Sequence, residues 1–324
     1  MFAIYKTAHK EISKVNSMKD ENLWINLVNP TEEELLQVCE GFQIDMDLLR
    51  AALDYEERPR IETEDGQVLL LISMPNKPTN EASVLYNTIP LGIVVTEKVI
   101  VTIALEESLL IDQLLLKKNA PTTQKRTRFV LQMLYSNAQL FLNCLREIDK
   151  KSNQIEQHLH KSSKNKELIN LLNLEKSLVY FTTALRANES VSEKLLRTYL
   201  RKTHDEESEI TVKVLKSYDE DEDLLEDVII ENKQAIDMAY IYTNILSGTM
   251  DAFASIISNN LNIVMKFLAI ITIGMAIPTI ITSFFGMNVP IPYQNSAFAY
   301  LYIISISIFL MIVVILFITK KKMY

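Results

Sequence analysis

The residues of this chain that could do chemistry lie along one helical face. Asn262, Met265, Ala269, Thr272, Ala276, Thr279 and Ser283 follow one another in alternating steps of three and four, the spacing that stacks side chains on one side of an α-helix. After Met265 every one of them is small or carries a hydroxyl, whereas the remaining surface is mostly Ile, Leu, Phe and Met. From Phe267 to Phe285 there is no charged residue, a stretch of about nineteen positions that can cross a bilayer's hydrocarbon core. The stripe has two readings. Small and hydroxylated residues let membrane helices approach closely, which makes a helix–helix seam. The same residues also suit the wall of a narrow pore, where they leave room for a hydrated ion. The stripe alone leaves both open.

The stretch ends in Phe285, Gly286, Met287 and Asn288, followed by Val289 and Pro290. With these come Met265 and Lys266 at its start, Pro278 within it, a short loop, a second apolar stretch and Lys320, Lys321 and Lys322. The arrangement resembles the CorA family of divalent-cation channels, whose signature is a Gly-Met-Asn closing the first of two C-terminal spans. The resemblance is close over the spans and their approach, and one of layout elsewhere. It implies a funnel-shaped homopentamer with Gly286, Met287 and Asn288 as a selectivity filter, the Asn288 side chains forming a ring at the outer mouth. It also implies that Asn262, Met265, Leu268, Thr272, Ala276 and Thr279 face or adjoin the pore, with Ala269 and Ser283 on the same stripe. Leu268 and Met265 then form a hydrophobic constriction on the cytoplasmic side.

The family resemblance further implies sensing of intracellular Mg2+ by carboxylates between neighbouring subunits. Asp227 falls where one such carboxylate lies, and Asp251 on a second acidic position nearer the membrane. The partner acid is a departure: Asn76–Asn80 offers no aspartate, and Glu81 is the nearest candidate. Two further departures lie at the outer mouth. Val289–Tyr300 contains no acid, and Phe285 stands where Tyr is more usual. Gly286 is expected to permit a backbone turn there that adds carbonyl oxygens.

The 324 residues leave a large part outside the spans. Residues 1–118 read as a cytoplasmic α/β domain, with strands at Phe2–Lys6, Leu23–Leu27, Val68–Ser73, Leu85–Val95 and Val99–Ile103. Thr31 and Glu34 are spaced as a capping box at a helix start, a second helix runs near Met46–Leu53, and Pro75–Ser83 reads as a loop. The charged segment Asp54–Arg60 reads as a structural salt-bridge knot. Residues 119–203 hold two long helices, Gln124–Lys161 and Lys166–Arg201. Residues 204–262 hold an acidic segment and a stalk helix continuous with the first span. Residues 263–287 form that pore-lining span, 288–296 the outer loop, 297–319 the second span and 320–324 a basic C-terminus. Thr203–Asp227 carries eleven acids, which by default are a solvated face. Along the stalk, Leu225, Val228, Ala235, Ala239, Tyr242, Leu246, Phe253 and Ile256 form a face expected to pack against copies of itself, and Gly248 is expected to serve close packing.

After Asp251 there is no Asp or Glu, while Lys266 starts the first span and Lys320, Lys321 and Lys322 follow the second. By the positive-inside rule this basic collar and both termini face the cytoplasm of a multi-pass cell-membrane protein. The second span is uniformly bulky and is expected to form the outer, lipid-facing wall. No leader sequence, Walker motif, GxGxxG, nucleophile elbow or HExxH is found, so no enzyme is expected. Cys39 and Cys144 lack metal-ligand spacing and read as core residues. The expected function is Mg2+ uptake, with Co2+ and Ni2+ of similar hydrated size also passing, gated by intracellular Mg2+. The alternatives are a Zn2+ transporter of the same family, proton-coupled, and more distantly a two-span sensor. Absence of His and Cys from the spans favours Mg2+. The expected partners are further copies of the chain, the lipid bilayer and divalent cations; neither nucleic acid nor an organic cofactor is expected.

Overall fold

Long runs of Val, Ile and Leu in the first hundred residues form strands covered on both faces, as sheets flanked by helices do. The computed structural model describes residues 2–8, 11–18, 20–78, 84–116, 122–161, 165–201, 214–215, 219–287 and 298–320. Its strands are β1 (Phe2–Ala8), β2 (Glu11–Val15), β3 (Leu23–Val28), β4 (Arg60–Glu64), β5 (Gln67–Asn76), β6 (Asn87–Val95) and β7 (Val99–Ala104). They make a mixed seven-stranded sheet in the order β2-β1-β3-β7-β6-β5-β4. β3 and β7 pair in parallel, and the other neighbours are antiparallel. One face is covered by α1 (Glu32–Phe42), α2 (Met46–Arg50) and the 3-10 turn Ala51–Leu53, where Leu35, Val38, Leu49 and Ala52 join Leu69, Val94, Val101 and Ile103 in one core. The Thr31–Glu34 capping box forms as its spacing foretold. Buried polar groups are satisfied in place: Trp24 Nε1 donates to Thr102 Oγ1 (2.9 Å), which donates to Asn26 Oδ1 (2.8 Å).

The strands differ from the sequence expectation where charge hides them. β2 and β4 are the two sheet edges, rich in Glu, Lys and Arg as exposed edges tend to be. The clue to β4 is Asp65-Gly66, both at positive φ (45° and 77°) between β4 and β5, which is the two-residue hairpin turn these residues favour. The helix α3 (Leu109–Leu116) was not anticipated. Arg60 pairs with Glu57 and, at 2.9 Å, with Glu62, as expected of a salt-bridge knot. Pro75 was expected in a loop, yet β5 continues through it to Asn76. β4 stops pairing at Leu71, so beyond that point one side of β5 needs no ladder partner, and a proline fits there. On the same side, Ser73 N–H donates to Asn188 Oδ1 (2.8 Å), and its carbonyl accepts from Asn137 and Asn188. Two asparagines thus replace the missing strand.

Behind the second face run α4 (Arg126–Lys161) and α5 (Asn165–Arg201). Phe129 packs edge-on against Trp24, and Phe141 against Phe181 at 5.0 Å. Next comes α6 (Asp219–Phe285), one helix of 67 residues with Pro278 inside it, and then α7 (Ala299–Lys320). The chain divides into two compact units, Met1–Met250 and Asp251–Tyr324, with the boundary falling inside α6. Within the first unit, Leu225, Val228, Ala235, Ala239 and Leu246 are already buried, and Asn232 Nδ2 donates to the Leu185 carbonyl of α5 at 2.9 Å. Phe253 is buried as well, whereas Ile256 is exposed. This corrects the expectation that this face packs against other copies, because most of it is covered within a single chain. Within the single chain, a Cβ added at Gly248 would meet nothing within 4 Å. The acidic run is only partly a solvated face: Asp223, Glu226 and Asp227 are exposed, Glu220 pairs with Arg128, and Asp221 is buried.

Candidate ion-conducting face

In the second unit, α6 and α7 are both long and apolar enough to cross a membrane. They meet at Gly274, the buried glycine of α6, where an added Cβ would come within 3.4 Å of Ile315 Cδ1 and 4.0 Å of Met311 Cγ. Ile270, Ile277, Pro278, Ile281 and Phe285 are half-buried on the same side. At about 100° per residue, Ser283 lies half a turn round from Gly274. Asn262, Met265, Leu268, Thr272, Ala276, Thr279 and Ser283 are all exposed, and Ala269 is half-buried at the margin. The small-residue stripe is therefore not what α6 uses to hold the second span. Within one chain it faces away.

The same three-and-four spacing continues backwards from Asn262 through Ser258, Ser255, Asp251, Gly248, Asn244, Ile241, Asp237, Gln234 and Ile230 to Asp227, every one exposed. Asp251 is separated from Thr272 and Thr279 by multiples of seven, a repeat that drifts by about 20° per heptad round a straight helix. Asp237 belongs to the series and was missed in the sequence reading; simple continuation of the spacing finds it.

The hydroxyls of the stripe are arranged as acceptors. Thr272 Oγ1 donates to the Leu268 carbonyl (2.8 Å), and Thr279 Oγ1 to that of Met275 (3.0 Å). With the proton committed to the helix, the remaining lone pairs can only accept. A hydrated cation presents water hydrogens outward, and acceptors are what it needs. Pro278 has no N–H to give to the Gly274 carbonyl, and Thr282 Oγ1 donates to the carbonyls of Pro278 and Thr279 nearby.

At the end of α6, Gly286 N–H donates to the Thr282 carbonyl at 2.9 Å. Its φ is not in the left-handed region; what glycine provides is clearance, since a Cβ would lie 3.2 Å from that same oxygen. Gly286 thus sits in a turn that closes α6 by a close backbone approach. Met287 is exposed. Asn288, Glu81, Lys321 and Lys322 lie outside the described residues, and Lys320 is the exposed last residue of α7. Asp227 and Asp251 do not come together with other ligands in one chain: among the described residues, no group of three or more His, Cys, Asp or Glu could hold a metal ion.

One polar cluster in the first unit had no sequence signal, because its members are far apart in the chain. Tyr86, itself buried, donates its hydroxyl to Glu147 Oε2 at 2.5 Å. Lys151 and Lys77 approach Glu147 Oε1 at 3.3 and 3.8 Å. The phenol, followed by both lysines, holds the Glu147 carboxyl below its ordinary range. Burial first, then the Glu147 hydrogen bond, raises Tyr86. Burial also pushes the neighbouring Cys144 thiol up to about 12, keeping it an inert core residue.

Comparison with known proteins gives the family and the fold. A family profile described as CorA-like Mg2+ transporter protein matches residues 19–322. The cobalt/magnesium transport protein CorA of Methanocaldococcus jannaschii is 28% identical over 280 residues, covering 85% of this chain and 82% of that one. The complete structure of the CorA magnesium transporter from that organism aligns with a TM-score of 0.81 at 22% identity, over 99% of this chain and 98% of the other. The cytoplasmic domain of ZntB from Vibrio parahaemolyticus is more distant, with a TM-score of 0.53 at 11% identity over 77% of this chain and 98% of that domain.

Proposed function

The chain belongs to the CorA-like Mg2+ transporter family, and on that premise we propose that copies of it form a homopentameric membrane channel for Mg2+ uptake. The observation that carries this reading is the orientation of the stripe: Thr272, Ala276, Thr279 and Ser283 are opposite the Gly274 side on which α7 packs. Around a shared axis, copies of α6 present small residues and acceptor hydroxyls to the ion. Gly286, Met287 and the Asn288 ring act as the selectivity filter. Mg2+ gives up its waters reluctantly, so neutral acceptors bind the hydrated ion and release it, as conduction requires. Met265 and Leu268 form the narrow apolar section, with Asn262 and Ala269 beside it. Co2+ and Ni2+ share the path. Both termini and the lysines at 320–322 are cytoplasmic.

Regulation is assigned to exposed acids earlier on the same helix. Asp227 of one subunit, with Glu81 of its neighbour, binds intracellular Mg2+ and favours the closed state; Asp251 offers a second position nearer the membrane. The Zn2+ reading, with proton coupling, is separated from this one by uptake into proteoliposomes carrying internal Mg2+, Zn2+ and pH dyes. Mg2+ entry driven by membrane potential and lost in Asn288→Ala is the expected result. Zn2+ entry coupled to protons, with Mg2+ excluded, would move the chain to the zinc reading. No divalent flux at all would leave the stripe a packing seam.

A further inference from the structure

We propose that the outward face of α5 is the docking surface for α6 of the next copy of this chain. The inference rests on the assembly reading above and names the surfaces that make it; it needs no ion site. Both surfaces lie in the first unit. Among the described residues of α5, the exposed ones include five bases (Lys166, Lys176, Arg186, Lys194 and Arg197) and no acid. Ile169, Leu172, Val179 and Tyr180 stand beside them, between 42% and 57% exposed. At about 100° per residue, Leu172, Lys176, Val179, Arg186, Lys194 and Arg197 share roughly a quarter of a turn. The exposed face of α6 has the opposite character. Asp223, Asp227, Ile230, Asp237, Ile241 and Ile245 also share about a quarter of a turn, and all are exposed. Lys176, Arg186, Asp223, Asp227 and Asp237 make no ion pair among the described residues.

The two faces match in length and in order. Asp223 and Ile245 are 22 residues apart, as are Leu172 and Lys194, a span of about 33 Å in each helix. Laid antiparallel with Asp223 at Lys194, the helices bring Asp237 to Tyr180, Ile241 to Lys176 and Ile245 to Leu172. A parallel arrangement would set the acids against the apolar end instead. The antiparallel sense is the one a ring supplies. Within one chain α6 runs with α4, Glu220 pairing with Arg128 and Tyr242 lying near Arg146 and Asp149. α5 returns along α4, with Phe181 against Phe141, so it opposes α6. Rotation about an axis along α6 keeps that sense for the next copy's α5, and such a heterologous contact closes into a ring. Packed on a copy of itself, the α6 face would instead set Asp223, Asp227 and Asp237 against identical acids, a like-charge contact that costs affinity.

The test is chemical cross-linking of the full-length protein in detergent and Mg2+-free buffer, with Cys39 and Cys144 replaced by alanine and a short bifunctional thiol reagent. Leu172→Cys and Ile245→Cys combined in one chain are expected to give a ladder of linked copies. The two single variants co-expressed are expected to give linked pairs only, and Ile245→Cys alone none. Val179→Cys with Ile241→Cys repeats the comparison one turn away. Charge reversal reads the same contact: Asp237→Lys is expected to lower the yield of the ladder about threefold or more, and adding Lys176→Glu to restore it. Light scattering reports the oligomer in parallel. An intact oligomer that neither cysteine pair links would overturn the α5 docking surface and leave the assembly reading standing. Cross-linking by Ile245→Cys alone, as strong as by the pair, would show that α6 meets α6 and would also overturn it. A double charge reversal as poor as Asp237→Lys alone would overturn the pairing. A monomer before any substitution beyond Cys39 and Cys144 would end both readings.

Discussion

Thr279 concentrates the chemistry of the proposed pore in one side chain. Its hydroxyl proton is committed to the Met275 carbonyl, so only its acceptor side can meet a hydrated ion. Thr279→Val keeps the shape and removes the acceptor. Ion flux should fall roughly three- to tenfold, the equivalent of about one hydrogen bond, while expression and oligomer size stay unchanged; unaltered flux would show that this hydroxyl does not meet the ion. In the first unit, Tyr86→Phe removes a hydrogen bond from a buried ring to a carboxylate and should cost about 1 kcal/mol in thermal or urea unfolding. The pH dependence of this contact has a definite sign. Glu147 titrates below the ordinary carboxylate range, so its stabilising contribution is present above about pH 4.3 and is lost as pH falls through the lower folded value. The stability gap between wild type and Glu147→Gln should therefore close on acidification. A gap that widened in acid would contradict the contact.

Among the elements, α6 carries the proposed conducting face and was the most legible. Its length, its lack of proline before Pro278 and its small-residue stripe can all be read from spacing. What spacing does not reveal is which neighbour covers a helix face. Leu225, Val228, Ala235 and Ala239 form an apolar stripe that could pack on anything, and it is α5, through Asn232 and the Leu185 carbonyl, that marks the side facing its own chain. Asn232→Ala should cost about 1–3 kcal/mol, because a buried polar contact is broken. The sheet edges were missed for a related reason. β2 and β4 exist through pairing with β1 and β5, and their charged sequences show no apolar run of their own. Asn288 and Glu81, by contrast, rest on the motif and the resemblance alone. The α6–α7 contact makes its own prediction. Gly274→Leu forces side-chain atoms into Ile315 and Met311, an overpacking cost of about 1–3 kcal/mol. It should lower the thermal stability of the detergent-solubilised channel, and Gly274→Ala should do so much less.

At the scale of the whole molecule, a single α6 cannot enclose an ion path, so the account stands or falls on assembly around the stripe. The face once assigned to contacts between copies is mostly used inside one chain. The small-residue stripe facing away from Gly274 is the surface we assign to the axis. The most direct measurement is thiol accessibility during ion flux. With Cys39 and Cys144 replaced by alanine, single cysteines are introduced at Thr272, Thr279, Ile270 and Ile281, and a charged, membrane-impermeant thiol reagent is applied. Block at Thr272→Cys and Thr279→Cys, with none at Ile270→Cys and Ile281→Cys, is the expected result. Block on the Gly274 side with the stripe untouched would contradict the account and return the small residues to the role of a seam.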